Sequence, residues 1–133
     1  MTIKKEVIVL ASCLFLISCG MKKENAQTAA SSGNYSIIWR YTIKPEMRNR
    51  FEHEYGSHGA WNELFSQSVN YRGSFLHHNA ESPDTYILID TWTDQLSYEQ
   101  FKADYAEMYK RLSDQFSPLY ISEERMGAFN SLP

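Results

Sequence analysis

Few side chains in this 133-residue sequence have the chemistry of a reactive centre. There are four histidines and two cysteines, and both cysteines lie within the first nineteen residues. His77 and His78 are adjacent in a segment of strand character, so their side chains point to opposite faces and cannot bind one metal ion together. The sequence has no P-loop and no GxGxxG, HExxH or GxSxG motif. It gives no basis for a metal, nucleotide or acyl-enzyme mechanism, and we expect no cofactor.

The first nineteen residues differ in character from the rest of the chain. Lys4 and Lys5 precede an apolar run, residues 7–17, that is too short to span a bilayer and suits the hydrophobic region of a signal peptide. The end of this run resembles the lipobox of bacterial lipoproteins. The resemblance implies cleavage before Cys19, a diacylglycerol on its sulfur and an acyl chain on its amine. The matching residues are Leu16-Ile17-Ser18-Cys19-Gly20.

Two alternatives to this assignment exist. A second lipobox-like match ends at Cys13, but cleavage there leaves only about four apolar residues in the hydrophobic region, which is too few. The other alternative is that residues 7–18 form a buried helix, or a secretory peptide cleaved at another position. We therefore predict lipidation at Cys19 and anchoring in the bacterial cell envelope. Gly20 in place of Asp favours the outer over the inner membrane, by resemblance to known lipoproteins.

The remaining sequence predicts a polar tether and one domain. Residues 1–18 are predicted as signal peptide, residues 19–34 as lipidated cysteine and flexible tether, and residues 35–133 as the folded domain. Loss of two lysines and one glutamate with the signal peptide changes the formal net charge from −3 to −4, and no basic patch indicates nucleic-acid binding. Only Cys19 would remain, so we expect no disulfide bond.

The first half of the domain predicts a strand followed by a bent helix. Residues 35–43 are rich in β-branched and aromatic side chains. Pro45 suits the first turn of a helix, which should bend at Gly56 and Gly59. Alternation places five side chains on one face of the strand: Tyr35, Ile37, Trp39, Tyr41 and Ile43.

The second half predicts a hairpin, a helix and a last strand. Residues 71–78 and 85–93 should pair across a short polar turn. Asp94, or alternatively Ser97, caps one helix whose apolar residues are spaced to pack on the sheet, and Pro118 ends it. Residues 119–129 supply a weaker fourth strand. The helix residues are Tyr98, Phe101, Tyr105, Met108 and Leu112.

The order β-α-β-β-α-β predicts an α+β, ferredoxin-like fold, in which a four-stranded antiparallel sheet carries two helices on one face. The other face of the sheet also carries large side chains. Because an apolar patch of that size is usually covered, we predict a homodimer in which the sheets of two copies pack together.

The folded part resembles the antibiotic biosynthesis monooxygenase superfamily of dimeric α/β-barrel domains. The resemblance covers residues 35 to about 129. It rests on Ile43-Lys44-Pro45, on Phe51, Glu52, Tyr55 and Gly56, on Gly59, Trp61, Leu64 and Phe65, on Tyr71, Gly73, Ser74 and Leu76, and on Tyr86, Ile89, Asp90, Trp92, Tyr98 and Phe101.

The resemblance implies an enzyme or a small-molecule-binding domain. Haem-degrading members use an Asn on the first strand with a Trp and a His on the second helix. This sequence has no Asn between Tyr35 and Lys44 and no Trp or His between Asp94 and Ser117, which disfavours haem degradation. Cofactor-free oxygenases of the superfamily need an aromatic pocket with one base near neutral pKa. Side chains of this sequence that could build such a pocket are the catalytic candidates His58, Trp61 and Asn62 and the ligand-binding candidates Arg40, Tyr41, His77 (or His78), Asp90 and Trp92.

Each candidate also has a structural explanation. The tryptophans could be core or interface residues, His58 could be an exposed residue of the helix break, and Arg40 could pair with Asp90 on a neighbouring strand. We thus predict an envelope protein that binds a small aromatic or hydrophobic molecule and oxidises it without a cofactor. The alternative is a non-catalytic lipoprotein that binds a ligand or partner.

Overall fold

A computed structural model describes residues 33–133, which belong to one compact unit. The predicted signal peptide and most of the predicted tether lie outside the described residues. None of the helices within residues 33–133 has the length and apolar character needed to cross a membrane.

The fold is the predicted α+β, ferredoxin-like arrangement, with one four-stranded antiparallel sheet. The strands are β1 (Tyr35–Ile43), β2 (Tyr71–His78), β3 (Thr85–Trp92) and β4 (Tyr120–Asn130). Their order across the sheet is β2-β3-β1-β4, so β1 and β3 form the centre, and β2 and β4 form the edges. All three pairings are antiparallel.

Alternation along the central strands separates a covered face from an open one. The five alternating residues of β1 predicted to share a face do so, and all but the half-buried Trp39 are buried. On β3 the alternation buries Tyr86, Leu88, Asp90 and Trp92 on the same side, beneath the helices.

Each of the two predicted helices is divided into two segments. The first consists of α1 (Arg48–Tyr55), which follows a 3₁₀ turn at Pro45–Met47, and α2 (Ala60–Phe65). The link between them needs a glycine because a Cβ at Gly59 would lie 2.2 Å from the His53 carbonyl oxygen, far inside contact distance. The predicted bend at the glycines is therefore a complete interruption.

The prediction of one continuous second helix was wrong. The chain forms α3 (Gln95–Asp104) and α4 (Ala106–Phe116), separated at Tyr105, whose backbone leaves the helical region. The Tyr109 N–H donates to the Tyr105 carbonyl at 2.9 Å, so α4 begins directly after the break that ends α3. Asp94, the first of the two predicted caps, is confirmed because its carboxylate accepts the Ser97 N–H at 2.7 Å.

An aromatic core lies between the sheet and the helices. Phe51 and Tyr55 stack with ring centroids 4.3 Å apart, and the Trp92 ring lies 5.6 Å from Phe65 and 5.0 Å from Phe101. These rings hold α1, α2 and α3 on the covered face of the sheet.

Candidate active site

A small cavity lies on the covered face of the sheet, beneath α2 and α4. Its volume is about 90 Å³. The strands supply its floor and one acidic wall, and the helices supply an aromatic roof. The lining residues are Trp39, Tyr41, Tyr55, Trp61, Phe65, Leu88, Asp90, Tyr109, Ser113 and Glu123.

Asp90 is the buried carboxyl group of this cavity. Its position on β3 lies opposite Ile37 of β1 and Ser74 of β2, on the face that the helices cover. The residue is only 6% exposed. Burial raises the Asp90 pKa to about 7, because the charged carboxylate loses its hydration, and the Ser74 hydrogen bond offsets only part of this rise. A carboxyl group with this pKa can both take and return a proton near neutral pH.

A chain of hydrogen bonds leads from Asp90 towards the surface of α2. The Ser74 hydroxyl donates to Asp90 Oδ1 at 2.5 Å, and the Tyr71 hydroxyl donates to Ser74 Oγ at 2.6 Å. The Asn62 amide donates to the Tyr71 hydroxyl at 3.0 Å. Each donor points towards the carboxyl, so this chain orients Asp90 and fixes the rotamers of the side chains behind it.

One residue that lines the cavity, Trp61, has a buried hydrogen-bond donor. Trp61 is 8% exposed, and its buried Nε1 has no hydrogen-bond partner among residues 33–133. The Tyr55 hydroxyl interacts favourably with this N–H, but their geometry falls short of a hydrogen bond. Because a buried N–H without a partner is costly, the indole is a candidate donor to a bound molecule, provided that the ring moves so that this buried N–H faces the cavity.

Tyrosines surround the acid and stay protonated near neutral pH. Burial raises the pKa of Tyr41, Tyr55 and Tyr109 above the ordinary value, in part with help from nearby negative charge. The Tyr41 hydroxyl donates to Glu123 Oε2 at 2.9 Å, which joins β1 to β4 at the cavity wall. These phenols can serve as donors and as aromatic walls, whereas Asp90 is the group suited to act as a base.

The structure brings some of the candidate residues together and separates others. Trp61, Tyr41 and Asp90 line the cavity, and Asn62 lies behind it in the hydrogen-bond chain. His58 is exposed in the link between α1 and α2 and is not a lining residue. Trp92 is fully buried in the core beside the cavity.

Arg40 and His77 are on the other side of the sheet. The suggestion that Arg40 pairs with Asp90 was wrong, because the two side chains lie on opposite faces and Arg40 instead forms an ion pair with Glu124 of β4. His77 is exposed on the open face, and the adjacent His78 contacts the Pro83 carbonyl at 3.0 Å. Neither histidine lines the cavity.

Several residues at the site were not among the sequence candidates. Ser74 could have been found from hairpin register, which places it opposite Asp90. Tyr109 and Glu123 carried no such signal, because they lie on elements far away in the sequence.

Within residues 33–133, no three His, Cys, Asp or Glu side chains come together in a cluster able to hold a metal ion.

Comparison with known proteins supports the fold but gives no close relative. No family model matches the sequence, and no curated protein matches it. The fold is similar to that of SnoaB, a cofactor-independent oxygenase from Streptomyces nogalater, studied as a mutant: the TM-score is 0.56 and the identity 16%, over 74% of this chain and 92% of that one.

Two further solved structures carry the antibiotic biosynthesis monooxygenase description. The one from Nitrosomonas europaea has a TM-score of 0.56 and 14% identity over 74% of this chain and 90% of that chain. The one from Bordetella bronchiseptica has a TM-score of 0.53 and 20% identity over 76% and 97%. The structural neighbours are thus antibiotic biosynthesis monooxygenase-like proteins, and at these identities the similarity shows the fold.

Proposed function

We propose that this domain binds a small hydroxylated aromatic molecule in the Asp90 cavity and oxidises it with O₂ without a cofactor. The observation that carries the proposal is one aromatic cavity lined both by Asp90, a buried carboxyl with a pKa of about 7, and by Trp61, whose buried N–H has no hydrogen-bond partner among residues 33–133. The cofactor-independent oxygenase among the structures of similar fold supports the reaction class.

The roles of the residues follow from their chemistry. Ionised Asp90 takes the hydroxyl proton of a phenol, and the Trp61 N–H stabilises the resulting oxyanion. The electron-rich ring carbon then forms a bond to O₂, and the peroxide accepts the proton from Asp90. Loss of the ring C–H proton and cleavage of the O–O bond give a carbonyl and water. One phenol and one O₂ thus become one quinone and one water, and Asp90 is regenerated. We assign the base to Asp90 instead of the exposed His58.

The size of the cavity limits the substrate. An engineered cavity of about 150 Å³ accepts benzene, whereas the Asp90 cavity measures about 90 Å³. Binding of one ring therefore requires a wall to move. The Trp61 and Tyr109 rings meet edge to face with centroids 5.0 Å apart, and separation of this pair would enlarge the space between α2 and α4. Single-ring compounds are the class that fits such a change best.

The test is oxygen uptake with a panel of single-ring mono- and dihydroxyaromatic compounds. Wild-type activity should rise with pH through about 7 as Asp90 ionises, and Asp90→Asn should abolish it while keeping an oxygen for Ser74 to bond. Asp114→Asn is the matched control, because that carboxylate is exposed and pairs with Lys110. Uptake that is unchanged by Asp90→Asn would refute the assignment.

A second candidate function is ligand binding without catalysis, and the small cavity volume favours it. In that case compounds of the panel should raise the melting temperature of the wild type, and should raise that of Trp61→Phe by a smaller amount. Neither protein should consume oxygen. This outcome would retain the site and remove the reaction.

The proposal also includes an anchor and a second copy. The sequence around Cys19 supports lipidation and a position in the bacterial envelope, with the outer membrane favoured over the inner. Cys19→Ala should move the protein from the membrane to the soluble fraction, and unchanged acylation would place the anchor at Cys13.

A homodimer is supported by the apolar side chains on the open face of the sheet, which are Ile38, Phe75, Ile87, Ile89 and Phe129.

A further inference from the structure

Exposed apolar side chains gather at the end of the sheet where the chain enters the domain. The register places Tyr35, Tyr71, Trp92 and Asn130 at this end, which is therefore the start of β1 and β2 and the end of β3 and β4. We call it the entry end. Just beyond three of these strand ends lie Val69, Leu96 and Leu132, which are 89%, 76% and 89% exposed.

Val69 and Leu96 share one surface, and Leu132 lies at the same end of the sheet. The Thr93 N–H donates to the Asn70 carbonyl at 2.9 Å. This hydrogen bond joins the loop before β2, which contains Val69, to the segment after β3, which leads to Leu96. Val69 and Leu96 also line the same open groove. On the other side of β1, the Ser131 N–H donates to the Asn34 carbonyl at 2.9 Å, which places the residue before Leu132 beside the entering chain.

The far end of the sheet has a different character. The turn between β2 and β3 at residues 79–84 is polar apart from Ala80 and Pro83, and Asn79 and Ser82 form its hydrogen bonds. One large apolar residue, Ile121 at the start of β4, is exposed there. Apolar exposure beyond the strand ends is thus concentrated at the entry end.

We propose that the entry end, through Val69, Leu96 and Leu132, docks on the surface of the lipid bilayer. The inference rests on the proposed anchor at Cys19. Fifteen residues separate Cys19 from Tyr35, and the sequence predicts that they form a flexible tether. A tether of that length would have a reach of roughly 20 Å. The fourth strand end at this surface, the start of β1, is the one to which the lipidated segment connects.

The anchor makes a weak apolar contact sufficient. A tethered domain meets the bilayer at an effective concentration on the order of millimolar, so a few inserted side chains can hold one orientation. At this end two acidic side chains, Asp94 and Asp104, outnumber one exposed basic side chain, Arg72, which favours a zwitterionic over an anionic lipid surface.

Docking would place the candidate active site near the membrane. Asp90 precedes Trp92 by two residues on β3, which is about 7 Å along a strand. A lipophilic aromatic compound dissolved in the bilayer would then lie close to the cavity.

The experiment uses the mature lipoprotein in phosphatidylcholine vesicles with and without brominated acyl chains, which quench tryptophan on contact. Leu96→Trp adds a fluorophore at the entry end, and Ala80→Trp adds one at the exposed far turn; Trp39, Trp61 and Trp92 give the same background in both. We expect brominated lipid to remove at least half of the added emission at position 96 and none at position 80. Equal quenching at both positions, or none at either, would overturn the proposal.

A second variant tests the surface itself. Adding Val69→Ser and Leu132→Ser to Leu96→Trp should lower the ratio of docked to undocked protein by about tenfold or more, because each loss removes apolar burial. Unchanged quenching in this variant would also count against docking.

Failure of the anchor can be separated from failure of docking. If the native protein does not float with vesicles, the Cys19 anchor is wrong. A chain that begins at Cys19 can then be coupled through its thiol to a maleimide lipid, and the quenching at positions 96 and 80 measured again. Quenching at position 96 but not at position 80 would support the docking surface even then. No quenching at position 96 would refute the docking surface.

Discussion

The strongest physical prediction concerns Asp90→Asn and the pH dependence of stability. Burial raises the Asp90 pKa from 3.8 to about 7 in the folded domain. Between these values the folded state holds a proton that the unfolded state has released, so the free energy of unfolding falls as the pH rises. At about 1.4 kcal/mol for each pH unit, the loss approaches roughly 4 kcal/mol by pH 7 to 8.

Asparagine removes this dependence because it carries no charge in either state. Its side-chain oxygen can still accept from Ser74, as the carboxyl does at 2.5 Å. The buried amide group adds a penalty of its own, but that penalty does not change with pH. The free energy of unfolding of Asp90→Asn minus that of wild type should therefore increase by up to about 4 kcal/mol from pH 4 to pH 8.

The assay is urea unfolding of the Cys19→Ala protein, followed by tryptophan fluorescence at several pH values from 4 to 8.5. Wild type should lose stability across this range, and Asp90→Asn should lose much less. Asp114→Asn should keep the wild-type slope, because the Asp114–Lys110 ion pair is exposed. Parallel curves for wild type and Asp90→Asn would refute a raised Asp90 pKa and, with it, the proposed base.

Three further predictions test the fold and the second copy. Asp94→Ala should lower the free energy of unfolding by about 1 kcal/mol, measured by urea unfolding, and Asp94→Asn should not, because only alanine removes the acceptor for the Ser97 N–H. Gly59→Ala should lower it by on the order of 2 kcal/mol or more, because the new Cβ meets the His53 carbonyl oxygen at 2.2 Å; a normal melting curve would contradict this packing. Light scattering of the Cys19→Ala protein should give a dimer that Phe75→Ser weakens, and a wild-type monomer at micromolar concentration would argue against association through the open face.

Much of the fold could be predicted because its signals are local. The alternation in β1 identified the face that is buried, and the Asp94 cap lies within three residues of the N–H that it accepts. The order of strands and helices then left the ferredoxin-like arrangement as the natural one. The break at Tyr105 was missed because its apolar spacing matches a continuous helix, and the kink shows only in the backbone.

The candidate site depended far more on tertiary structure. From the sequence alone, His58 is a catalytic candidate and Asp90 is a ligand-binding candidate. The fold leaves His58 exposed in a link and buries Asp90 beneath two helices, and this burial is what raises the Asp90 pKa towards neutrality.

The sequence alone determined the alternation of faces, the caps, the order of elements and the lipobox-like segment, because each depends on residues close together in the chain. Tertiary structure alone decided that Glu124 pairs with Arg40, that Glu123 and Tyr109 join Asp90 at one cavity, and that three strand ends expose apolar side chains beside the entering chain. Those outcomes depend on which strands become neighbours and which helix covers them, and contacts between distant segments leave no periodic trace in the sequence.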